Sequence, residues 1–286
     1  MENSIRNTFT LKGLLIIFAL LPVRPLLAQF NNPIKKIEPA TYIATYSLKY
    51  QQDSTNPSFI KQEDMLLFIG EHVSKFVSKN SYIFDTIVRR IKNWTEFQQM
   101  ELKPGNAART MSAFDYQIFK NYPKGKITTI DHTLILGNSF IYTENLDLIN
   151  WKLNNDTATL KGYKVQKATC SFGGRSWIAW FTSEIPFRDG PYKFCGLPGL
   201  IIKISDTRNQ YVFELETFNK VKNKTMIDYV EDEFIKSTKQ GFFKAQDDFR
   251  NNIISTTKQA GLNSQQQQKA AKYMMVRNNL LELKRK

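Results

Sequence analysis

Apolar and polar residues alternate with a period of two along most of this chain, as in strands that bury one face. Residues 41–50 place Tyr42, Tyr46 and Tyr50 on a single face, and the polar stretch 51–57 ends that strand as a turn. Residues 65–69 and 72–78 predict a hairpin around Gly70-Glu71. Short alternating segments over 114–120, 126–133 and 139–143 are separated by Pro123-Lys124-Gly125 and Gly137-Asn138, the punctuation of a meander. The sharpest hairpin signal is 164–172 and 175–183 around Gly173-Gly174. There Ala168, Cys170 and Phe172 share one face, and Trp177, Ala179 and Phe181 oppose Ile178 and Trp180. Bulky residues on both faces predict an interior strand. Leu200, Ile202 and Ile204 alternate with Ile201, Lys203 and Ser205, and 210–216 returns as a partner strand after the turn 206–209.

The period changes in two places. Phe84, Ile87, Val88, Ile91, Trp94 and Phe97 are spaced by three and four, predicting an amphipathic helix over 85–100. Near the end, Phe242, Ala245, Phe249, Ile253 and Ile254 form one stripe. Asn263-Ser264 then supplies a cap for a second helix carrying Ala270, Ala271, Met274, Met275, Leu280 and Leu281. Residues 30–39, with two prolines, read as a lead-in strap. The fold class expected is α+β: a mainly antiparallel curved sheet, a meander of hairpins, with one internal helix and C-terminal helices packed on one face.

The first 28 residues have the order of an export signal. Arg6 and Lys12 precede an apolar run over 13–21, and Leu26-Leu27-Ala28 precedes Gln29. That run is shorter than the ~20 residues a membrane-spanning helix needs. Cleavage near Ala28 predicts a periplasmic or secreted protein, with residues 29–286 as one domain and no transmembrane segment after processing. The formal charge is +14, and losing Glu2, Arg6, Lys12 and Arg24 with the leader takes it to +12. In an exported protein such basicity points to anionic envelope surfaces or to simple solvation before nucleic acid, and no long basic block argues for nucleic acid.

The most locally encoded turn lies in the stretch 189–202. Pro198-Gly199 fits the centre of a type II turn, proline presetting φ and glycine taking the positive φ that follows. Gly190-Pro191 and Gly196-Leu197-Pro198-Gly199-Leu200-Ile201 resemble the signature of the GLPGLI family (Porph_ging), secreted Bacteroidetes proteins without an established activity. Upstream, Gly174-Arg175-Ser176-Trp177 and the following residues to Pro186 are also similar to that family. Asn279-Leu280-Leu281-Glu282-Leu283 resembles its closing Asn-Pro-Ile-Glu-Leu, but Leu280 replaces the proline, which leaves the last helix free to run on. The resemblance implies a structural role for Gly190, Pro191 and residues 196–201 and transfers no activity.

Chemistry-bearing residues are sparse. The only histidines, His72 and His132, fall on separate strands and no cysteine pair has zinc spacing, so no metal is expected. Ser176 follows two glycines but lacks the second half of a nucleophile elbow, and no phosphate-binding glycine motif occurs, so no cofactor is expected. Glu184 and Asp189 lie close to Arg175 in sequence-predicted hairpin geometry. They would serve either as an acid–base pair of a hydrolase or, preferred, as an Arg175 salt bridge and a cap for turn amides. Arg175, Trp177, Trp180, Glu184, Asp189 and Tyr192 are the candidate binding residues, with the aromatics as a ligand groove or as core. The two cysteines, Cys170 and Cys195, form either a disulfide, which in the loop-entropy model stabilises by ~3–4 kcal/mol, or two buried free thiols. The functional expectation is an exported, non-catalytic binding or carrier protein for an apolar, peptide or anionic envelope ligand. The alternative is a hydrolase using Glu184 and Asp189.

Overall fold

A computed structural model of the chain describes residues 32–90, 96, 99, 112–133, 138–259 and 261–283. The stretch expected to be an export signal lies outside these residues. The chain is mostly β, built around a large open sheet with helices added to it. Two meanders make the sheet. The first runs β2 (Tyr42–Gln51), β3 (Ile60–Ile69), β4 (Ser74–Ser78), β5 (Tyr116–Lys120), β6 (Lys126–Thr133) and β7 (Asn138–Asn145). The chain then crosses to the far edge and returns as β8 (Lys152–Leu160), β9 (Tyr163–Phe172), β10 (Arg175–Thr182), β11 (Leu200–Asp206) and β12 (Tyr211–Lys220). Strand β12 pairs antiparallel with β2, with Phe213 opposite Leu48, and this seam makes one 12-stranded sheet. Its only parallel pair in the described residues is β7 with the two-residue β14 (Ile235–Lys236), leaving β14 and β8 as the edges.

The expected glycine hairpin is present, with Arg175 opposite Phe172 and Trp177 opposite Cys170. Strand β10 has neighbours on both sides, as its two bulky faces require, and β11 with its motif is likewise interior. Leu200, Ile201 and Ile202 are all fully buried, so the simple alternation fails at the start of β11. A register shift between Trp180 and Phe181 removes one residue from step there. The strap over 30–39 is instead a strand, β1 (Ile34–Pro39), pairing with β13 (Met226–Val230) as a separate two-stranded sheet. Pro33 and Pro39 delimit it at positions where the missing N–H costs little. Strand β8 was not legible, since six of its nine residues are polar and none is buried.

The internal helix α1 (Lys79–Val88) starts earlier than its apolar spacing indicates, because Ser78 caps it by accepting the Asn80 and Ser81 N–H groups. The expected stretch beyond Arg90 falls outside the described residues apart from residues 96 and 99. Helix α1 packs Tyr82 on Phe68, on the sheet face that carries β1 and β13. The opposite face holds the main core: Tyr46, Leu48, Leu67, Phe76, Ile118, Trp177, Phe213 and their neighbours. The C-terminal stripe divides at Asn252 into α2 (Lys239–Asn251) and α3 (Ile253–Gln259). Helix α4 (Ser264–Met275) opens with a capping box between Asn263 and Gln266, as its sequence predicted. It does not run on to Leu281; residues 277–283 follow as an extended segment. Phe242 of α2 packs on Phe140 and Tyr142 of β7. No helix among the described residues is long and apolar enough to cross a membrane.

The type II turn expected at Pro198-Gly199 is replaced by a tighter one, in which Gly199 N–H donates to the Leu197 carbonyl at 2.8 Å and Leu200 N–H donates to Ile185. Glycine is demanded for a different reason as well: at φ +150 a Cβ on Gly199 would fall into the Thr182 carbonyl. Gly199→Ala is expected to destabilise the protein by about 1–3 kcal/mol, from strain and backbone displacement together; an unshifted urea midpoint would contradict this. Of the two arrangements open to the cysteines, the free one is found: Cys170 and Cys195 are buried, unbridged thiols in the same core cluster. Burial pushes their pKa values up to about 12 and about 11, so neither is a ready nucleophile. Alkylation of the denatured, unreduced protein is expected to label both thiols, and an unlabelled species lighter by two hydrogens would overturn the assignment.

Candidate functional site

Residues 183–199, between β10 and β11, lie against the main core and contact strands of both meanders. Phe194 packs between Trp177, at 4.7 Å between ring centroids, and Phe172, at 5.6 Å. Trp151, just before β8, donates its indole N–H to the Cys195 carbonyl at 2.8 Å. From the other meander, Lys120 of β5 donates to the Gly190 carbonyl at 2.5 Å and pairs with Asp189. Tyr192 sits at φ +53, a conformation a bulky residue adopts only when its surroundings fix it.

At the centre is Lys193, whose side chain has no solvent exposure. Its ammonium lies 2.5 Å from Glu144 on β7 and 2.9 Å from Glu282, with the Tyr142 hydroxyl at 3.3 Å. Lys239, at the start of α2, closes the quartet at 2.7 Å from Glu144 and 2.6 Å from Glu282. The Tyr192 hydroxyl donates to Glu282 at 2.6 Å. Burial alone would raise the Glu282 pKa, but Lys193 and Lys239 outweigh it and hold the group at about 2. Burial likewise opposes the Lys193 charge, and Tyr142, Glu282 and Glu144 outweigh it, raising that pKa. Glu282 and Lys193 therefore hold their charges through the ordinary pH range and are unsuited to proton transfer.

Glu282 is delivered by the extended C-terminal segment, which Arg175 holds. The Arg175 guanidinium donates to Asn279 Oδ1 at 2.6 Å and to the Leu280 and Leu281 carbonyls at 2.7 and 3.1 Å, and pairs with Asp206 at 2.7 Å. Tyr211 donates to the Asn279 carbonyl at 2.6 Å, and Leu283 N–H donates to Gly173 at 2.6 Å. These bonds replace the helical ones that residues 277–283 would otherwise make.

The sequence-predicted site residues are therefore not assembled as expected. Arg175 pairs with neither Glu184 nor Asp189. Glu184 accepts the Lys164 N–H at 2.8 Å, whereas Asp189 accepts the Gly190 N–H at 2.7 Å and pairs with Lys120. The turn-amide cap foreseen for a carboxylate is thus found at Asp189. Trp177 is core, its indole N–H donating to the Phe172 carbonyl at 3.0 Å, and Trp180 packs half-buried against the same cluster. Arg175 and Tyr192 do converge, but on the C-terminal segment. Lys193, Glu282, Glu144 and Lys239 were missed. The available signals were a lysine inside the apolar run 192–197 and a glutamate between Leu281 and Leu283. His72 is exposed in the turn before β4, and the described residues hold no group of three or more His, Cys, Asp or Glu placed for a metal ion.

Two further acids differ in state. Burial, reinforced by Asp131, raises Asp115 to about 8; burial, opposed by Lys193, raises Asp131 to about 7. Folded Asp115 and Asp131 therefore hold more protons than the unfolded chain between pH 3.8 and about 8, and stability falls as pH rises through that window. Glu282 acts oppositely: its contribution is complete above pH 4.5 and is lost as pH falls towards 2. Melting temperature is expected to peak near pH ~4.5 and decline on both sides, with Asp131→Asn flattening the alkaline decline; a curve rising from pH 4 to 8 would refute this. Glu282→Ala, which leaves Lys193 buried without that partner, is expected to cost about 3–5 kcal/mol in urea unfolding.

A comparison with curated proteins finds no match. Among solved structures, the chain is similar to PNGF-II in its P21 and C2 crystal forms, at 14% identity and a TM-score of 0.46 in each case. These alignments cover 73% and 72% of this chain and 32% of PNGF-II, so the chain spans about a third of that protein's length. Residues 174–203, from the turn of the glycine hairpin through Lys193 into β11, match the family model described as Porph_ging, a protein of unknown function, and over that short segment the chain carries the signature of the GLPGLI family.

Proposed function

We propose that this is an exported, non-catalytic binding protein of the cell envelope that contacts anionic surfaces. The observation that carries the reading is the engagement of every candidate acid–base group by the fold itself. Glu184 is tied to a strand amide, Asp189 to Lys120 and a turn amide, and Arg175 to the C-terminal segment. A hydrolase acting through Glu184 and Asp189 would need both carboxylates turned to a common substrate, and they serve different backbone elements.

The sheet is proposed to curl strongly while staying open. Strands β7 and β8 stand second and last in the strand order, yet only residues 146–151 join them. Flat strands ~4.8 Å apart would separate the two by about 48 Å, whereas the link reaches about 25 Å fully extended. Curling supplies the difference and turns the core face inward around residues 183–199. Ligand contact then falls to the outer surface. Lys220, at the end of β12, and Lys222 and Lys224, between β12 and β13, are exposed, and Lys35 and Lys36 are exposed on the adjoining β1. Nearby acids are engaged: Glu38 accepts the His72 and Val73 amides, and Asp228 pairs with Arg89. The +14 formal charge of the whole chain is consistent with the same partner.

Retention on phosphatidylglycerol vesicles is expected at low salt, with loss as ionic strength passes ~0.15 M, where the Debye length is ~8 Å. Lys220→Glu combined with Lys222→Glu and Lys224→Glu should abolish it. Salt-independent retention, or none at low salt, would overturn the reading.

A further inference from the structure

The outer face of the sheet carries a small polar cavity at the seam between β2 and β12. Ser47, Lys49, Val212, Glu214 and Glu216 line it from the two strands and Lys161 from the β8–β9 turn, around a space of about 190 Å³. The alternation that puts Tyr46, Leu48, Phe213 and Leu215 in the core turns Ser47, Lys49, Val212 and Glu214 outward. Ser47 and Glu214 are directly opposed in the ladder, as are Lys49 and Val212. Glu216 joins them at a register shift between Leu215 and Thr217. The roof is Lys161. Lys161-Gly162 is the two-residue loop between the paired Leu160 and Tyr163, and both of its residues have positive φ, the geometry of a tight hairpin turn. The Lys161 ammonium lies 3.1 Å from Glu216 and 3.9 Å from Glu214. Those pairs hold the turn over the seam, although β10 and β11 stand between β9 and β12 in the strand order.

Two features of the cavity point to an occupant. Ser47 is 6% exposed, and its Oγ has no hydrogen-bond partner among the described residues. A buried hydroxyl left unbonded is costly, which calls for a polar group beside it. Lys49, two residues along the same strand face, is exposed and forms no ion pair among the described residues. The other charges there are matched. Lys203, opposite Glu214 in the β11–β12 ladder, pairs with it at 3.3 Å, and Lys161 takes Glu216. Asp64, opposite Ser47 on its other side, is held by Lys79 at 3.0 Å. Lys49 is therefore the unbalanced charge. An organic cation would meet Lys49 and Lys161, and a dianion would be repelled by two glutamates. Water could bond Ser47 but supplies no charge opposite Lys49. A carboxylate carries a single charge and only acceptors, which suits the Lys49 ammonium and the Ser47 hydroxyl as donors. Cavities of ~150 Å³ hold a molecule of benzene's size, so the space fits a short organic acid, with Val212 beside its hydrocarbon part.

We propose that Ser47, Lys49 and Lys161 form a binding site for the carboxylate of a small organic acid, with Lys49 as counter-ion, Ser47 as hydrogen-bond donor at the floor and Lys161 as the roof. This site is separate from the basic surface at Lys220, Lys222 and Lys224 and does not depend on it.

The test titrates the whole protein with propionate, propylammonium and sulfate in a low-salt buffer, read by amide NMR shifts and by calorimetry. Saturable binding of propionate is expected, with shifts centred on Ser47, Lys49 and Val212, weaker binding of sulfate and none of propylammonium. Lys49→Gln should weaken propionate binding about three- to fivefold, the worth of a solvent-exposed ion pair. Ser47→Ala should weaken it about tenfold, through loss of a hydrogen bond to a charged group. Lys258→Gln, the same charge change at an exposed helical position, should leave it unchanged. No saturable binding of propionate, equal binding of propylammonium or sulfate, or undiminished affinity in Lys49→Gln or Ser47→Ala would overturn the proposal. An equal loss in Lys258→Gln would overturn it too, as the mark of unspecific attraction to the net charge. If Ser47→Ala does not fold, Lys49→Gln decides, and unchanged affinity there overturns it.

Discussion

An ammonium group removed from water must be enclosed by anions, and Lys193 draws its two from distant parts of the chain, Glu144 49 residues before it and Glu282 89 residues after it. That requirement ties the end of the first meander, the β10–β11 loop of the second and the C-terminal segment to one point. Lys239 adds the start of α2 to the same cluster. Hydrophobic contact alone would let these elements slide on one another. A buried quartet with hydrogen-bonded geometry has far fewer acceptable arrangements, which makes it a specifier of this packing.

The family signature takes on a physical sense from that arrangement. Two of its glycines serve close approach: a Cβ on Gly199 would enter the Thr182 carbonyl and one on Gly190 would meet Ile201. Just ahead of the matched segment, one on Gly173 would meet Glu282. The segment matched by the family model contains two of the cationic anchors of the C-terminal segment, Arg175 and Lys193. The resemblance of 279–283 to the family's closing motif is then the other half of one contact. Absence of the usual proline at Leu280 does not let α4 continue, because Arg175 takes the Leu280 and Leu281 carbonyls in place of helical N–H groups.

Local periodicity made much of the sheet legible. The strands over 126–133, 163–172, 175–182 and 200–206, and the Asn263 cap of α4, follow from neighbours in sequence. What was not legible depends on distant partners. Strand β8 is polar because it lies at an edge, and β1 has meaning only beside β13. The early start of α1 depends on Ser78, whose capping hydroxyl precedes any apolar spacing. For the site, Arg175 and Tyr192 were identifiable as unusual residues in a dense stretch, but their partners were not: Asn279 and Glu282 lie 104 and 90 residues away. Proximity in sequence suggested Glu184 and Asp189 instead, and each serves a backbone amide, that of Lys164 and that of Gly190.

Strand β8 has a consequence for how copies of this protein meet. A sheet that does not close on itself presents a row of free N–H and C=O groups, a template on which a second molecule could add its own strand. Here the β8 ladder to β9 is broken between Leu153 and Thr157, and the interruption carries Asn154, Asn155 and Asp156, with Lys152 ahead of it. The kink and charges spoil the straight, apolar edge that strand addition needs, and the opposite edge, β14, is only two residues long. Both boundaries of the sheet are therefore built to resist edge-to-edge association, which keeps a wide, β-rich chain from seeding aggregates of its own kind.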